Sequence, residues 1–122
     1  VPLLTKPRPL FRQLYEDWYQ LYDHLEYQDI ETGEIYKVEG GTKWDMGTIL
    51  KIVPRFFVPH ADQMTYPSAL HDKFYADFSV TRAVADRILR QFLIEEGLAK
   101  WRAWGAWTFV RMNLKAEYRW EK

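Results

Sequence analysis

The 122-residue chain has no cysteine. That excludes a disulfide framework, a thiolate zinc site and a thiol nucleophile. It also lacks an excess of either charge, because 17 Lys and Arg balance 17 Asp and Glu for a formal net charge of zero. Domains that hold nucleic acid through bulk charge carry a clear basic surplus, so nucleic acid is not favoured as a partner. Long apolar runs are missing too. Stretches such as Ile49-Leu50, Ile52-Val53 and Phe56-Phe57-Val58 are short, against the roughly 20 residues that a membrane span needs. No membrane span is expected, and the opening Val1-Pro2-Leu3-Leu4-Thr5-Lys6 lacks the basic-then-apolar design of a secretory signal. The chain as given reads as soluble. Repeats, low-complexity tracts and Ser/Gly linkers are absent, and the length fits one domain, residues 1–122. What is abundant is aromatic surface: 6 Trp, 8 Tyr and 7 Phe. Such side chains supply contact area, in a core or against a partner.

The spacing of apolar and breaking residues predicts an α+β fold, with a small antiparallel hairpin or sheet in the N-terminal half and about three α-helices after it. Residues 1–9 hold three of the six prolines and read as an extended arm, because proline removes a donor and restricts its predecessor. From Leu10 to Tyr27 two periods compete. Phe11, Leu14, Tyr15 and Trp18 share a face on a helix, whereas Leu21, Asp23, Leu25 and Tyr27 alternate as on a strand. Strand is favoured for Tyr19 to Gln28, since Asp29 to Glu34 looks like a hairpin loop and Ile35 to Val38 like its return strand. Thr42 to Tyr66 reads as irregular, with Ile49 to Val53 a short strand or helical turn. A helix then starts with Pro67 as its first residue. Ser79 or Thr81 caps the next helix and Gly97 stops it. A last helix sets Trp101, Trp104, Thr108 and Met112 on one side, and a charged tail runs over residues 115–122.

The segment richest in chemistry is Tyr66 to Tyr75 with Ser79 to Arg87. His71 and Tyr75 are four apart and share a helix face. Asp86, on the following helix, is able to cross to His71. A carboxylate that holds one imidazole nitrogen leaves the other free as a general base. Each residue also has a plainer reading. The His71–Asp72 pair suits a structural hydrogen-bond network, and this is preferred. Asp86 suits a surface ladder with Arg82 and Arg90, four residues to either side. Asp45 suits a turn or cap, with metal ligation or partnership with His71 as the alternative. His60 and Asp62 are two candidate ligands without a third, and His24 reads as solvent-facing. For the Trp-rich helix, core packing comes first, a docking face second and a membrane interface third. Lys100, Arg102, Arg111, Lys115, Arg119 and Lys122 outnumber Glu117 and Glu121 there, which suits an anionic surface.

The Leu70-His71-Asp72 and Tyr75 spacing, followed by Thr81-Arg82 and Ala85-Asp86-Arg87, resembles a small family of proteins without assigned function, encoded mainly by tailed bacteriophages and prophages. The likeness covers roughly Leu21 to Met112. Gly41, Asp45, Thr48 and Ile49 stand for an upstream Gly, Asp, Ser and Ile of that pattern, while Trp44 and Leu50 depart from its threonine and proline. The resemblance implies a non-enzymatic structural component of a phage particle, in the tail or attachment apparatus, working through contacts with other virion proteins in a multi-copy assembly. It implies a place in the virion, or in the bacterial host cytoplasm during assembly. Phe11, Tyr15, Trp18, Trp101, Trp104 and Trp107 are the candidate interface residues, and no cofactor is expected.

A more distant likeness is to the catalytic helix of secreted phospholipases, whose His-Asp-x-x-Tyr spacing is similar. It implies a small calcium-dependent hydrolase in which His71 activates water, Asp86 braces His71, Tyr75 completes the site and Asp72 holds calcium, with Asp45 a further candidate ligand. The absence of cysteine counts against that likeness, because those enzymes carry disulfides. A third reading is a module that binds a host protein through the Trp101 and Trp104 face.

Overall fold

The computed structural model describes residues 9–16 and 18–113, apart from the side chain of Thr48. The proposed arm and charged tail therefore fall almost wholly outside the described residues. The fold is α+β, with five strands followed by four α-helices among the described residues. Strands β1 (Phe11–Tyr15), β2 (Trp18–Leu21) and β5 (Lys43–Asp45) form an antiparallel sheet in the order β1-β2-β5. Strands β3 (Leu25–Gln28) and β4 (Ile35–Val38) form a separate hairpin with Tyr27 opposite Tyr36.

In this half one open choice is decided and one expectation is corrected. Of the two periods that compete from Leu10, the helical one does not form: Phe11 to Tyr15 is strand β1, antiparallel to β2, and Glu16 after it takes a left-handed conformation at φ 46°. Tyr19 to Gln28 is not one strand but two, in different sheets, broken at Tyr22 to His24. The break follows from competing backbone partners. The Tyr22 N–H donates to the Leu10 carbonyl at 2.8 Å, and the Gly40 N–H donates to His24 Nδ1 at 3.0 Å. A Cβ on Gly40 would lie 2.8 Å from the Tyr22 carbonyl oxygen, so glycine is required where β4 leaves the hairpin and passes this bend.

The hairpin loop expected at Asp29 to Glu34 is present. Gly33 takes φ 78°, and the fully buried Asp29 carboxylate accepts from Glu31 N–H at 3.0 Å and Thr32 Oγ at 3.0 Å. The middle segment is more ordered than expected. Asp45 ends β5 and accepts from the Gly47 N–H at 2.9 Å, which caps helix α1 (Met46–Ile52). A short 3-10 helix over Ala61–Met64 leads into α2 (Thr65–Asp77). Pro67 is the third residue of α2 rather than the first. First-turn N–H groups have no acceptor within the helix, so the missing donor costs no bond there.

Thr81 caps α3 (Arg82–Glu95) by accepting from Val84 N–H at 3.2 Å, and Gly97 at φ 98° follows its end. Helix α4 (Lys100–Arg111) corrects a further expectation. Its buried face is Ala103, Ala106 and Val110, while Trp101 is 54% and Trp104 50% exposed. Small residues let α4 lie close on the rest of the fold, and that close approach leaves no room for indoles on the inner face. Among the described residues the buried Trp is Trp44, which belongs to one buried cluster with Leu21, Leu70, Phe74, Ile88 and Phe92 and donates its Nε1–H to Ser68 Oγ at 3.0 Å.

Candidate functional site

Helices α2 and α3 bring three separated residues together. His71 Nε2 lies 2.7 Å from Asp86 Oδ1, and the Tyr75 hydroxyl donates to the same oxygen at 2.7 Å. The His71 and Tyr75 rings, one helical turn apart, pack with centroids 4.3 Å apart. Asp86 is fully buried and His71 8% exposed. The expected surface ladder around Asp86 is thereby overturned: Arg82 does approach it, Nε to Oδ2 at 3.7 Å, but Arg90 instead stacks on Trp104.

The donors around Asp86 fix the proton positions. Arg82 Nε donates to the Tyr75 oxygen at 3.1 Å, so the Tyr75 proton points to Asp86. Arg111 Nη1 donates to Asp86 Oδ2 at 3.2 Å. Every neighbour of Asp86 in this set is a donor, which makes Asp86 an acceptor-only carboxylate and His71 Nε2 a protonated donor. That tautomer carries its lone pair on Nδ1. Among the described residues no hydrogen bond to Nδ1 is made, and no fully buried side-chain nitrogen or oxygen is left unsatisfied. Nδ1 is accordingly the nitrogen that solvent reaches. Burial, with the negative charge of Asp86 beside it, pushes the Tyr75 hydroxyl well above the usual phenol range and keeps it a donor.

Arg82 extends the network to the end of α4. It is 3% exposed, and its Nη2 donates to the carbonyls of Val110, Arg111 and Asn113, each at 2.9 Å. A cation at a helix C-terminus satisfies orphan carbonyls and complements the helix dipole. Arg87, the last residue of the Ala85-Asp86-Arg87 run, grips the hairpin loop: Nη2 meets Asp29 Oδ2 at 2.7 Å and Nη1 meets Glu31 Oε2 at 3.0 Å. The roles of Arg82, Arg87 and Arg111 escape sequence reasoning. Arg111 is 25 residues from Asp86 and the Asp29–Arg87 pair spans 58 positions, and no local spacing encodes such separations.

Asp72 points to the surface beside His71. Desolvation raises its carboxyl above the ordinary value; the charge of Asp45 adds to this, and His71 opposes it. The two candidate metal ligands thus feel each other, but Asp45 commits one oxygen to capping α1. Among the described residues no group of three or more His, Asp or Glu is placed to hold a metal ion. Two carboxylates fall short of the six to eight oxygens calcium takes.

The remaining candidates lie elsewhere. Phe11 (39% exposed), Tyr15 (62%) and the half-buried Trp18 sit on β1 and β2. Trp104 and Trp107 meet edge-on at 5.3 Å on α4. His24 is solvent-facing, as expected, and His60 caps the 3-10 helix without a side-chain bond. A cavity of about 440 Å³ lies at the other end of α2, lined by Phe11, Asp62, Thr65, Tyr66, Glu95 and Glu96 among others, and none of the His71 network borders it. No helix among the described residues is long and apolar enough to cross a membrane.

A family model described as a protein of unknown function, DUF1353, matches residues 19–110. No curated protein and no solved structure matches the chain.

Proposed function

The chain belongs to the DUF1353 family of unknown function, and from the geometry around His71 we propose that it is a small ester hydrolase acting on phospholipid. The observation that carries this reading is the 2.7 Å contact of His71 Nε2 with a buried Asp86, with Nδ1 left to solvent. In the proposed reaction, a water at Nδ1 gives its proton to that nitrogen as its oxygen attacks the acyl carbon. The acyl C–O bond breaks, and the proton passes from the imidazolium to the departing alkoxide. Asp86 stabilises the imidazolium, and Tyr75 and Arg111 hold Asp86 in place. The choice of phospholipid rests on the His71-Asp72-x-x-Tyr75 likeness to secreted phospholipases. No step is routed through a metal.

The test is fatty-acid release from phospholipid vesicles by the full chain, with calcium and with chelator, for wild type and for His71→Asn. General-base catalysis is typically worth about 10²–10⁴-fold, so His71→Asn is expected to lose at least ~100-fold while retaining its near-UV circular dichroism. No release above background by wild type in either condition, or equal release by His71→Asn, overturns the reading. Loss of activity in chelator alone brings Asp72 and Asp45 in as ligands and refutes the metal-free form.

A second reading has its own observation. Among the described residues strand β1 is an edge of its sheet and carries the exposed Phe11 and Tyr15, and an edge with aromatic side chains is a ready template for another chain. It supports a structural component of a phage particle, held in the virion by protein contacts. Mass spectrometry of purified particles decides it: the chain is expected among virion proteins, and its absence refutes the idea.

A further inference from the structure

Helix α4 and the turn before the 3-10 helix together expose a surface that the His71 chemistry does not use. Phe56 is 66% exposed, Trp101 54%, Trp104 50% and Met112 66%, with Phe109 beside them at 37%. Four rings form one connected set: Phe56 lies 5.7 Å from Trp101 and 5.2 Å from Phe57, and Phe57 lies 5.7 Å from Phe109, while Trp104 meets Trp107 on the same helix. Guanidinium groups lie on these rings. Arg102 sits 4.4 Å from the Trp101 centroid and Arg90 3.8 Å from the Trp104 centroid. Among the described residues neither arginine has a carboxylate within ion-pair distance. Helix α4 contains Lys100 and Arg102, with Arg111 engaged by Asp86, and no acidic residue at all.

We propose that this surface docks the protein on an anionic lipid bilayer. Three features favour a bilayer over a peptide partner. The exposed aromatics stand on the outer side of a helix whose inner side, Ala103, Ala106 and Val110, is already packed. A peptide partner would need a groove or a strand edge, and an outward helix face offers neither. The residue types are Trp, Phe, Arg and Lys, with cations stacked on rings, which is the composition of interfacial helices that seat rings at headgroup level and bases against anionic lipid. Finally, Trp44 Nε1–H is satisfied inside the fold by Ser68, whereas among the described residues Trp101 and Trp104 make no indole hydrogen bond. Their N–H groups are left for water or headgroup oxygens while the rings contact apolar chains. The inference stands on these residues and not on the hydrolytic reading.

The experiment is sedimentation of the full chain with phosphatidylglycerol-containing vesicles, with pure phosphatidylcholine vesicles, and with duplex DNA or polyglutamate as non-lipid polyanions. Wild type is expected to sediment with anionic vesicles, at least tenfold less with neutral ones, and less as salt rises. Trp101→Ala with Phe56→Ala is expected to reduce binding at least tenfold, and Arg102→Gln to weaken it and flatten the salt dependence. Unchanged circular dichroism of each variant shows that the fold is kept. Equal binding to both vesicle types, no binding to either, or stronger capture by DNA or polyglutamate overturns the proposal. Because sedimentation needs no turnover, a protein inactive on lipid that still binds vesicles refutes the hydrolase reading alone.

Discussion

Replacing Asp86 by Asn keeps the shape of the buried hub and removes its charge. Asp86 is fully buried and meets His71, Tyr75 and Arg111 by hydrogen bonds of 2.7, 2.7 and 3.2 Å. Arg82, itself 3% exposed, lies 3.7 Å from its second oxygen. The variant leaves a buried guanidinium without its counter-charge and turns an amide NH₂ toward a donor. Removing one partner of a buried ion pair costs about 3–5 kcal/mol. With an unfolding entropy of about 2.1 cal/mol/K per residue, that corresponds to a fall in Tm of roughly 12–20 °C for a chain of this length. Thermal unfolding followed by far-UV and near-UV circular dichroism measures it. Adding Arg111→Gln to Asp86→Asn is expected to cost less than the sum of the two single changes, since the pair shares one interaction. A fall of less than about 1 kcal/mol in Asp86→Asn, or strict additivity in the double variant, refutes the acceptor-only carboxylate and with it the assignment of the Nε2 proton.

Two further outcomes test other parts of the fold. The Arg87 guanidinium, with the N–H of Glu31 and the Thr32 hydroxyl, holds the Asp29 carboxyl down to about 2 against the opposing effect of burial. The folded value is depressed, so the stabilisation is complete above the ordinary carboxyl range near pH 4 and is lost as pH falls toward 2; at about 1.4 kcal/mol per unit it amounts to roughly 2 kcal/mol. Urea unfolding between pH 5 and 2 is expected to show a shallower acid dependence in Asp29→Asn than in wild type, and parallel curves refute the pairing. At Gly105 an added Cβ would lie 2.2 Å from the Phe57 ring. Gly105→Ala is expected to destabilise by about 1 kcal/mol as the overpacking outweighs the helix-propensity gain, and in a Phe57→Ala background the same change is expected to stabilise; denaturant midpoints check both signs.

Local grammar carries much of the fold. The hairpin loop with Gly33, the Thr81 cap and the Gly97 stop are written in residue type and are found where that grammar puts them. The break at Tyr22 to His24 is not legible, because what ends β2 is a bond from Tyr22 to Leu10 and one from Gly40 to His24. The sidedness of α4 is hidden for a different reason. Periodicity groups Trp101, Trp104, Thr108 and Met112 on one face, but it does not say which face is inward. Large aromatics argue for the core, and close packing through Ala103 and Ala106 reverses that argument. At the candidate site the spacing places His71 and Tyr75 on one face. The burial of Asp86 depends on Arg82 and on Arg111 from a distant helix, and nothing within a few residues of Asp86 signals them.

The three-carbonyl grip of Arg82 bears on where this domain ends. The family match stops at residue 110, yet two of the three carbonyls that Arg82 holds belong to Arg111 and Asn113, and Arg111 itself reaches Asp86. A fragment trimmed to the matched boundary would cut through the ion cluster and leave Arg82 with donors and too few acceptors. The physical unit is therefore longer than its sequence signature by at least the turn after α4. Recombinant versions, fusions or tags joined there act on the chain a few bonds from the residues that set the proton on His71.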